Sequence, residues 1–173
     1  RRYLHQFPEL SFEEEKTSAW ICKQLDAIGI SYTTGWAGYG IVAEIKSTVS
    51  DKTIALRADM DALPIQEENN VSYKSENQGI MHACGHDGHV AVLMGVAEVL
   101  AGMKKDLKGT VKFIFQPAEE GAPIGEEGGA YLMVKEGVLE NPKVDVIFGL
   151  HMDSQVEVGN LTYRPGGTLA GVG

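Results

Sequence analysis

The sequence has few cysteines, a deficit of positive charge and no long hydrophobic run. Its two cysteines, Cys22 and Cys84, are too few for a disulfide framework. No apolar stretch approaches the roughly 20 residues that a transmembrane helix needs, so we expect no membrane span. Lys and Arg number 15 against 24 Asp and Glu, which gives a net charge of −9. This balance argues against nucleic acid or an anionic membrane surface as the main partner.

What is present is the composition of an ordinary folded domain. The chain has 173 residues, of which 43% are apolar and 23% are charged, values near the globular average. That length fits one domain with a substantial core. The sequence shows no secretory leader, and we expect a cytoplasmic protein. Because it starts without Met and ends on the linker-like "PGGTLAGVG", we expect a fragment of a longer protein.

Short β-rich runs alternate with helical patterns along the chain. The first helix is predicted over 11–30, with Ser11 as N-cap and Glu14 completing a capping box. The runs "GIVAEIKS" and "TIALRADM" are predicted to be neighbouring strands that form a hairpin. The stretch 65–80 is polar and without periodicity, which predicts a loop.

The second half of the chain continues this alternation. It contains, in order, a predicted helix ("VAVLMGVAEVLAGMKK"), a buried strand ("GTVKFIFQP"), a short helix ("EEGGAYLMVKEGV"), a buried strand ("VDVIFGLH") and a last strand ("VEVGNLTYRPGG"). Such alternation indicates an α/β sheet covered by helices on both faces. In open α/β sheets, ligands bind outside the carboxyl ends of the strands. We therefore expect the polar residues that follow the strands to collect at one edge.

The stretch "MHACGHDGH", residues 81–89, contains three of the five histidines and one of the two cysteines. Cys84 and His86 are two positions apart, so neither a helical spacing nor a C-x₂-C zinc pattern applies. Two ligands this near to each other in the sequence can share one metal ion or hold two adjacent ions. The alternative interpretation is an ordinary helix-capping turn with surface histidines.

Two further features change the balance between these interpretations. In "QPAEEG", Glu119 and Glu120 follow a strand directly; they either face solvent or divide the roles of metal ligand and proton acceptor. His151 ends the strand "VDVIFGLH", where a lone histidine is commonly structural. Thiolate, imidazole and carboxylate together suit zinc or another borderline transition ion, whereas calcium and magnesium prefer oxygen ligands.

Five motifs occur in an order and spacing that resemble a known family. They are "RRYLHQFPELSFEE", "RADMDALPIQE", "MHACGHDGHVA", "QPAEEG" and "GLH". They resemble the metal-dependent N-acyl-amino-acid amidohydrolases, which include hippurate hydrolases and plant auxin-conjugate hydrolases. This group is a branch of the aminoacylase and carboxypeptidase-type metallopeptidases. The resemblance implies a three-layer α/β sandwich around a central, largely parallel mixed sheet, as in zinc-exopeptidase catalytic domains.

The resemblance also implies roles for particular residues. The residues that match metal ligands of a two-metal site are Cys84, His86, Glu120 and His151. Glu119 matches the catalytic general base, and Asp61 matches an aspartate that orients a ligand. Asp59 stands where related peptidases have a ligand histidine, and we do not expect it to bind metal. The remaining polar residues of the turn, expected to support the site, are His82, Asp87 and His89.

The same resemblance implies the cofactors, partners and domain arrangement. Two divalent ions per subunit are expected, with zinc, manganese, cobalt and nickel all open, and the substrate would be a small N-acyl amino acid. Residues 1–165 would form the N-terminal part of the catalytic domain, and residues 166–173 a linker. The chain would be truncated before the α+β lid domain, which would form a homodimer. A further histidine ligand would lie beyond the chain, so we expect the chain alone to be weakly active or inactive.

Two alternative functions stay open at this point. A cysteine hydrolase could use Cys84 as nucleophile with His86 or His151 as base. A metal-binding scaffold could have kept the sequence and lost catalysis.

Overall fold

The computed structural model describes residues 1–122 and 124–163. Nine elements are assigned in the described residues: α1 (Arg2–Gln6), α2 (Glu15–Ile28), β1 (Ser31–Trp36), β2 (Gly40–Ile45), β3 (Thr53–Asp59), α3 (His86–Gly102), β4 (Thr110–Gln116), α4 (Gly129–Lys135) and β5 (Val146–Gly149). The strands form one sheet in the order β1-β2-β4-β3-β5. The α/β class is confirmed, as is the central mixed sheet.

Strand direction divides the sheet into two parts. β3 pairs in parallel with both β4 and β5. β2 runs antiparallel to β4, and β1 antiparallel to β2. β4 lies at the centre, and all seven of its residues are buried. A strand covered on both faces reads as a continuous apolar run, which explains how "TVKFIFQ" predicted a buried strand.

Each face of the sheet has its own apolar core, because successive side chains of a strand point to opposite faces. Phe113 and Phe115 of β4 pack with residues of α2 and α3, including Ile21, Leu25 and Leu93. On the opposite face, Ile114 of β4 packs with residues that include Met133 of α4 and Val42 of β2. Helices therefore lie against both faces, as the alternation of patterns predicts.

The predicted hairpin between "GIVAEIKS" and "TIALRADM" is wrong. Both runs form strands, but β4 lies between them and pairs with each. The hairpin in the structure joins β1 and β2 instead. Alternation and β-propensity predict which faces of a strand are buried, but they do not predict which strand pairs with it. The buried β4 needs a strand on each side, and β2 and β3 provide them.

The predicted capping box at the first helix is also wrong. α2 begins at Glu15, and neither Ser11 nor Glu14 makes a capping hydrogen bond to it. The Glu9 carboxylate accepts hydrogen bonds from the backbone N–H groups of Lys16 and Thr17 instead. Ser11 and Glu14 form hydrogen bonds with residues far away in the sequence, as described below.

The end of the chain differs from prediction in two ways. β5 forms as predicted but is exposed rather than buried, because it lies at the edge of the sheet. No strand is assigned over residues 156–163, so the predicted last strand is absent there, and its remainder lies outside the described residues. The predicted linker, 166–173, also lies outside them. The predicted loop over 65–80 is confirmed.

Among the described residues, no helix has both the length and the hydrophobicity that a bilayer crossing requires.

Candidate metal centre

The candidate site lies where three parallel strands end. β3 ends at Asp59, β4 at Gln116 and β5 at Gly149, and their carboxyl ends share one edge of the sheet. α3 begins at the same edge with His86. Asp61, the Glu119–Glu120 pair and His151 each follow one of these strands. The structure thus brings the residues predicted for the site together, although they are dispersed in the sequence.

The turn before α3 places Cys84 and His86 on the same site despite their close spacing. Gly85 between them has φ +93°, a left-handed conformation that side chains rarely adopt. A Cβ atom added at Gly85 would lie 3.1 Å from the Cβ of Met152. Glycine at this position therefore allows both the turn and the close approach of the segment that follows β5.

His86 is held by Asp61 so that one ring nitrogen faces the glutamate pair. The ring is fully buried, and its Nδ1 lies 3.2 Å from Asp61 Oδ1. Its Nε2 lies 3.5 Å from Glu120 Oε1 and 3.7 Å from Glu119 Oε2. Donation from Nδ1 to the carboxylate leaves the Nε2 lone pair available, which is the usual arrangement of a histidine that binds metal.

His151 and Cys84 form the other side of the site. His151 Nδ1 donates to the backbone carbonyl of Met152 at 2.7 Å, and its Nε2 lies 3.4 Å from Cys84 Sγ. As with His86, an acceptor at Nδ1 orients the imidazole. Here the acceptor is a backbone carbonyl, and the second nitrogen faces a potential co-ligand.

The atoms at the centre fit divalent ions. Within the described part of the chain, His86 Nε2 and Glu120 Oε1 are buried and have no hydrogen-bond partner. Such atoms are costly unless something binds them. Ligand atoms of Cys84, His86 and His151 all lie within 4.8 Å of one another, and so do those of His86, Glu119 and Glu120. The mixed sulfur, nitrogen and oxygen set suits zinc or a similar transition ion.

The pKa values at this centre reflect a concentration of negative charge. Burial raises the pKa of the Cys84 thiol to about 12, and the charges of Glu120 and Glu119 act in the same direction. Burial alone would lower the pKa of His86, but its contacts with Asp61 and Asp59 outweigh this effect and raise it. A divalent cation at the centre would neutralise these charges and favour the thiolate.

A third group of potential ligand atoms is already engaged within the protein. Asp59, His86 and His89 also lie close enough to share an ion. However, His89 uses Nδ1 for Asp59 and accepts the Met152 N–H on Nε2. The second oxygen of Asp59 accepts from Arg57. These hydrogen bonds occupy ligand atoms of both side chains, and the expectation that neither Asp59 nor His89 binds metal stays a prediction.

The other polar residues of the turn, Asp87 and His82, make no hydrogen bond to the proposed ligands in the described structure. Asp87 accepts hydrogen bonds from Arg1 and His5, and His5 also contacts Glu67. His82 is buried, neither ring nitrogen has a partner in the described structure, and burial lowers its pKa to about 4. The supporting roles expected for Asp87 and His82 stay predictions.

Two further residues, Ser11 and Glu14, support the site, although the sequence predicts a different role for them. Ser11 Oγ donates to Asp61 Oδ2 at 2.7 Å. Glu14 Oε1 accepts the backbone N–H of Ala118 at 2.8 Å. Both residues occur in one of the motifs that resemble the amidohydrolases, but local pattern assigned them to a helix cap. The contacts span 50 and 104 residues, so no short-range signal points to them.

Residues 55–167 match the model of peptidase family M20/M25/M40. The chain belongs to this family. It is 44% identical over 161 residues to an N-acyl-L-amino acid amidohydrolase of Geobacillus stearothermophilus, which covers 93% of the chain and 42% of the relative. It is 47% identical over 173 residues to the IAA-amino acid hydrolase ILR1-like 2 of Arabidopsis thaliana, which covers 100% of the chain and 38% of the relative.

A solved structure gives the same assignment. A dinuclear metal-binding peptidase of the M20 family from Bacillus subtilis superposes with a TM-score of 0.83 at 45% identity, over 91% of this chain and 42% of that one. The chain therefore spans about 40% of the length of these relatives. M20 membership confirms the predicted family.

Proposed function

We propose that the protein hydrolyses the amide bond of N-acyl amino acids at a site for two divalent metal ions. The observation that supports this most strongly is the pair of buried atoms His86 Nε2 and Glu120 Oε1, which lie 3.5 Å apart and make no hydrogen bond in the described structure. Cys84 and His151 complete the proposed ligand set within this chain. The amidohydrolase names of M20 relatives support the choice of substrate class.

Bound ions would supply Lewis acidity, which lowers the pKa of water and polarises an amide carbonyl. The protein's own residues then have separate tasks. Glu119 is the proposed general base: its side chain is 40% exposed, so it reaches solvent, and its Oε2 lies 3.7 Å from His86 Nε2. It takes a proton from the attacking water and gives it to the departing amine. Asp61 orients the His86 ring and accepts the backbone N–H groups of Glu119 and Glu120.

One contact favours a second candidate function. Cys84 Sγ lies 3.4 Å from His151 Nε2, a distance that suits a cysteine nucleophile and its base. A nucleophilic cysteine, however, needs an environment that lowers its pKa. Burial raises the pKa of Cys84, and the negative charges of Glu120, Glu119 and Asp59 act in the same direction. Metal binding explains both the contact and the carboxylates.

Several finer points stay predictions from the sequence. They are the choice among zinc, manganese, cobalt and nickel, the homodimer, the cytoplasmic location and the division at residue 165.

Glu119→Gln in the full-length protein tests the proposed function. The metal content should stay that of the wild type, because the ligand set is intact. The kcat for N-acyl amino acids should fall by about 10²–10⁴-fold, the usual contribution of a general base. Elemental analysis and steady-state kinetics on the same preparation measure both quantities.

Glu126→Gln is the matched control, since Glu126 is exposed in the segment that follows the site. It should keep both metal and rate. A Glu119→Gln variant that retains more than about a tenth of the wild-type rate would remove Glu119 from the role of base.

A further inference from the structure

Glu14 is a buried carboxylate that the proposed mechanism does not use. It is 0% exposed, and one oxygen accepts the backbone N–H of Ala118 at 2.8 Å. Its other oxygen has no hydrogen-bond partner in the described structure. Burying a carboxylate in this way costs free energy, so we expect Glu14 to have a function at this position.

The residue that Glu14 contacts has an unusual backbone conformation. Ala118 has φ +47°, a left-handed value that residues other than glycine adopt only where their surroundings impose it. Its carbonyl accepts the N–H of Gly129, where α4 begins. A Cβ atom at Gly129 would lie 1.8 Å from the carbonyl oxygen of Pro117, so α4 packs directly on this turn. Glu14 and α4 together hold Ala118 in place.

The two residues that follow Ala118 are held in the same manner. Glu119 and Glu120 donate their backbone N–H groups to Asp61 Oδ2 at 2.8 and 2.9 Å. Two buried carboxylates, Glu14 and Asp61, therefore bind three consecutive N–H groups. Ser11 donates to the same oxygen of Asp61, so the segment before α2 supports this turn twice.

We propose that Glu14 is a positioning residue that fixes the direction in which Glu119 and Glu120 project from the end of β4. The inference rests on the proposed roles of those two glutamates. Without an acceptor at Glu14, the Ala118 N–H is left buried and unpaired, and φ relaxes away from the left-handed region. The glutamates then move relative to His86, and a displacement of about 1 Å can cost about 10²-fold in rate.

The property that matters in this proposal is the acceptor oxygen. Burial raises the pKa of Glu14 to about 7, so a neutral side chain is compatible with the site. Glutamine keeps an oxygen acceptor at the same position. Leucine has similar bulk and no acceptor.

The test compares Glu14→Leu and Glu14→Gln in the full-length, metal-loaded protein. For Glu14→Leu we expect kcat to fall about 10- to 100-fold with little change in KM. Its metal dissociation constant should rise about tenfold or more, because Glu120 is displaced. Glu14→Gln should stay within about threefold of the wild type in all three quantities.

Glu9→Ala is the matched control, because the Glu9 carboxylate also accepts backbone N–H groups, at the start of α2, and in the described structure bonds to no residue of the site. It should lower the unfolding temperature and leave the kcat of the folded protein unchanged. If Glu14→Leu does not fold, Glu14→Asp replaces it, because its shorter side chain moves the acceptor oxygen away from the Ala118 N–H. Its kcat and metal affinity should then fall where those of Glu14→Gln do not.

Two outcomes would overturn the proposal: wild-type kcat and metal affinity in folded Glu14→Leu, or an equal loss in Glu14→Gln. Failure of the proposed function is distinguishable, because the wild type would then show no metal-dependent hydrolysis. The metal affinities of the variants would still report on the position of Glu120.

Discussion

At the scale of the residue, the hydrogen bond at Nδ1 of each proposed histidine ligand determines whether its Nε2 can bind a metal ion. His86 and His151 both donate through Nδ1, one to Asp61 and the other to a backbone carbonyl. Their Nε2 atoms therefore face the centre. His89 lies nearby, but both its ring nitrogens are engaged. Residue type and motif predict which side chains are candidates, whereas the partner of the other nitrogen comes only from the fold.

Asp61→Ala should weaken metal binding although Asp61 is not a proposed ligand. The change removes the acceptor of His86 and of two backbone N–H groups. Loss of such an outer partner typically costs 10–100-fold in metal affinity, so the dissociation constant should rise by about that factor. Competition with a chelating dye measures it. Asp106→Ala, at an exposed position, is the control, and an unchanged constant in Asp61→Ala would refute the orienting role.

At the scale of the element, β4 shows what a pattern predicts and what it omits. Its apolar run predicts a buried strand, and the strand is buried throughout. The run also contains Lys112, whose buried ammonium donates to the carbonyls of Val138, Glu140 and Pro142. These acceptors follow α4 in the sequence, so no local signal explains the lysine. The order of the strands could not be predicted either, because no local signal in the sequence indicates which strands pair.

Phe113→Ala should destabilise the fold more than most single substitutions. Phe113 is fully buried at the centre of the sheet, between β4 and the helices α2 and α3. Truncating a buried phenylalanine costs about 3–5 kcal/mol, through lost burial and the cavity that remains. Urea unfolding gives the difference. Val49→Ala, at an exposed position, should change the free energy of unfolding by less than about 0.5 kcal/mol.

At the scale of the whole molecule, the proposed ligands connect elements that are distant in the sequence. Cys84 and His86 flank the start of α3, Glu120 follows β4, and His151 follows β5. The motifs identify these residues one by one, and the parallel strands predict their common edge. The supporting contacts of Ser11 and Glu14 could not be predicted, because they depend on how the segment before α2 lies against the residues that follow β3 and β4.

Bound metal should therefore stabilise the chain against unfolding. A ligand that binds only the folded state at 100 times its dissociation constant contributes about 2.7 kcal/mol. Thermal unfolding of residues 1–173 with added zinc should show a higher midpoint, and a chelator should reverse it. Calcium and magnesium should have little effect, since they prefer oxygen ligands. A midpoint that does not respond to zinc would argue against a metal site in this part of the protein.

Coupling between bound metal and amide hydrolysis tests the central claim most directly. The full-length protein is stripped with a chelator, and hydrolysis of a panel of N-acyl amino acids is followed while zinc, manganese, cobalt or nickel is restored. Hydrolysis should disappear with the metal and return in proportion to the metal bound, up to two ions per subunit. Undiminished hydrolysis in the metal-free protein would contradict the metal mechanism and favour Cys84 as the nucleophile.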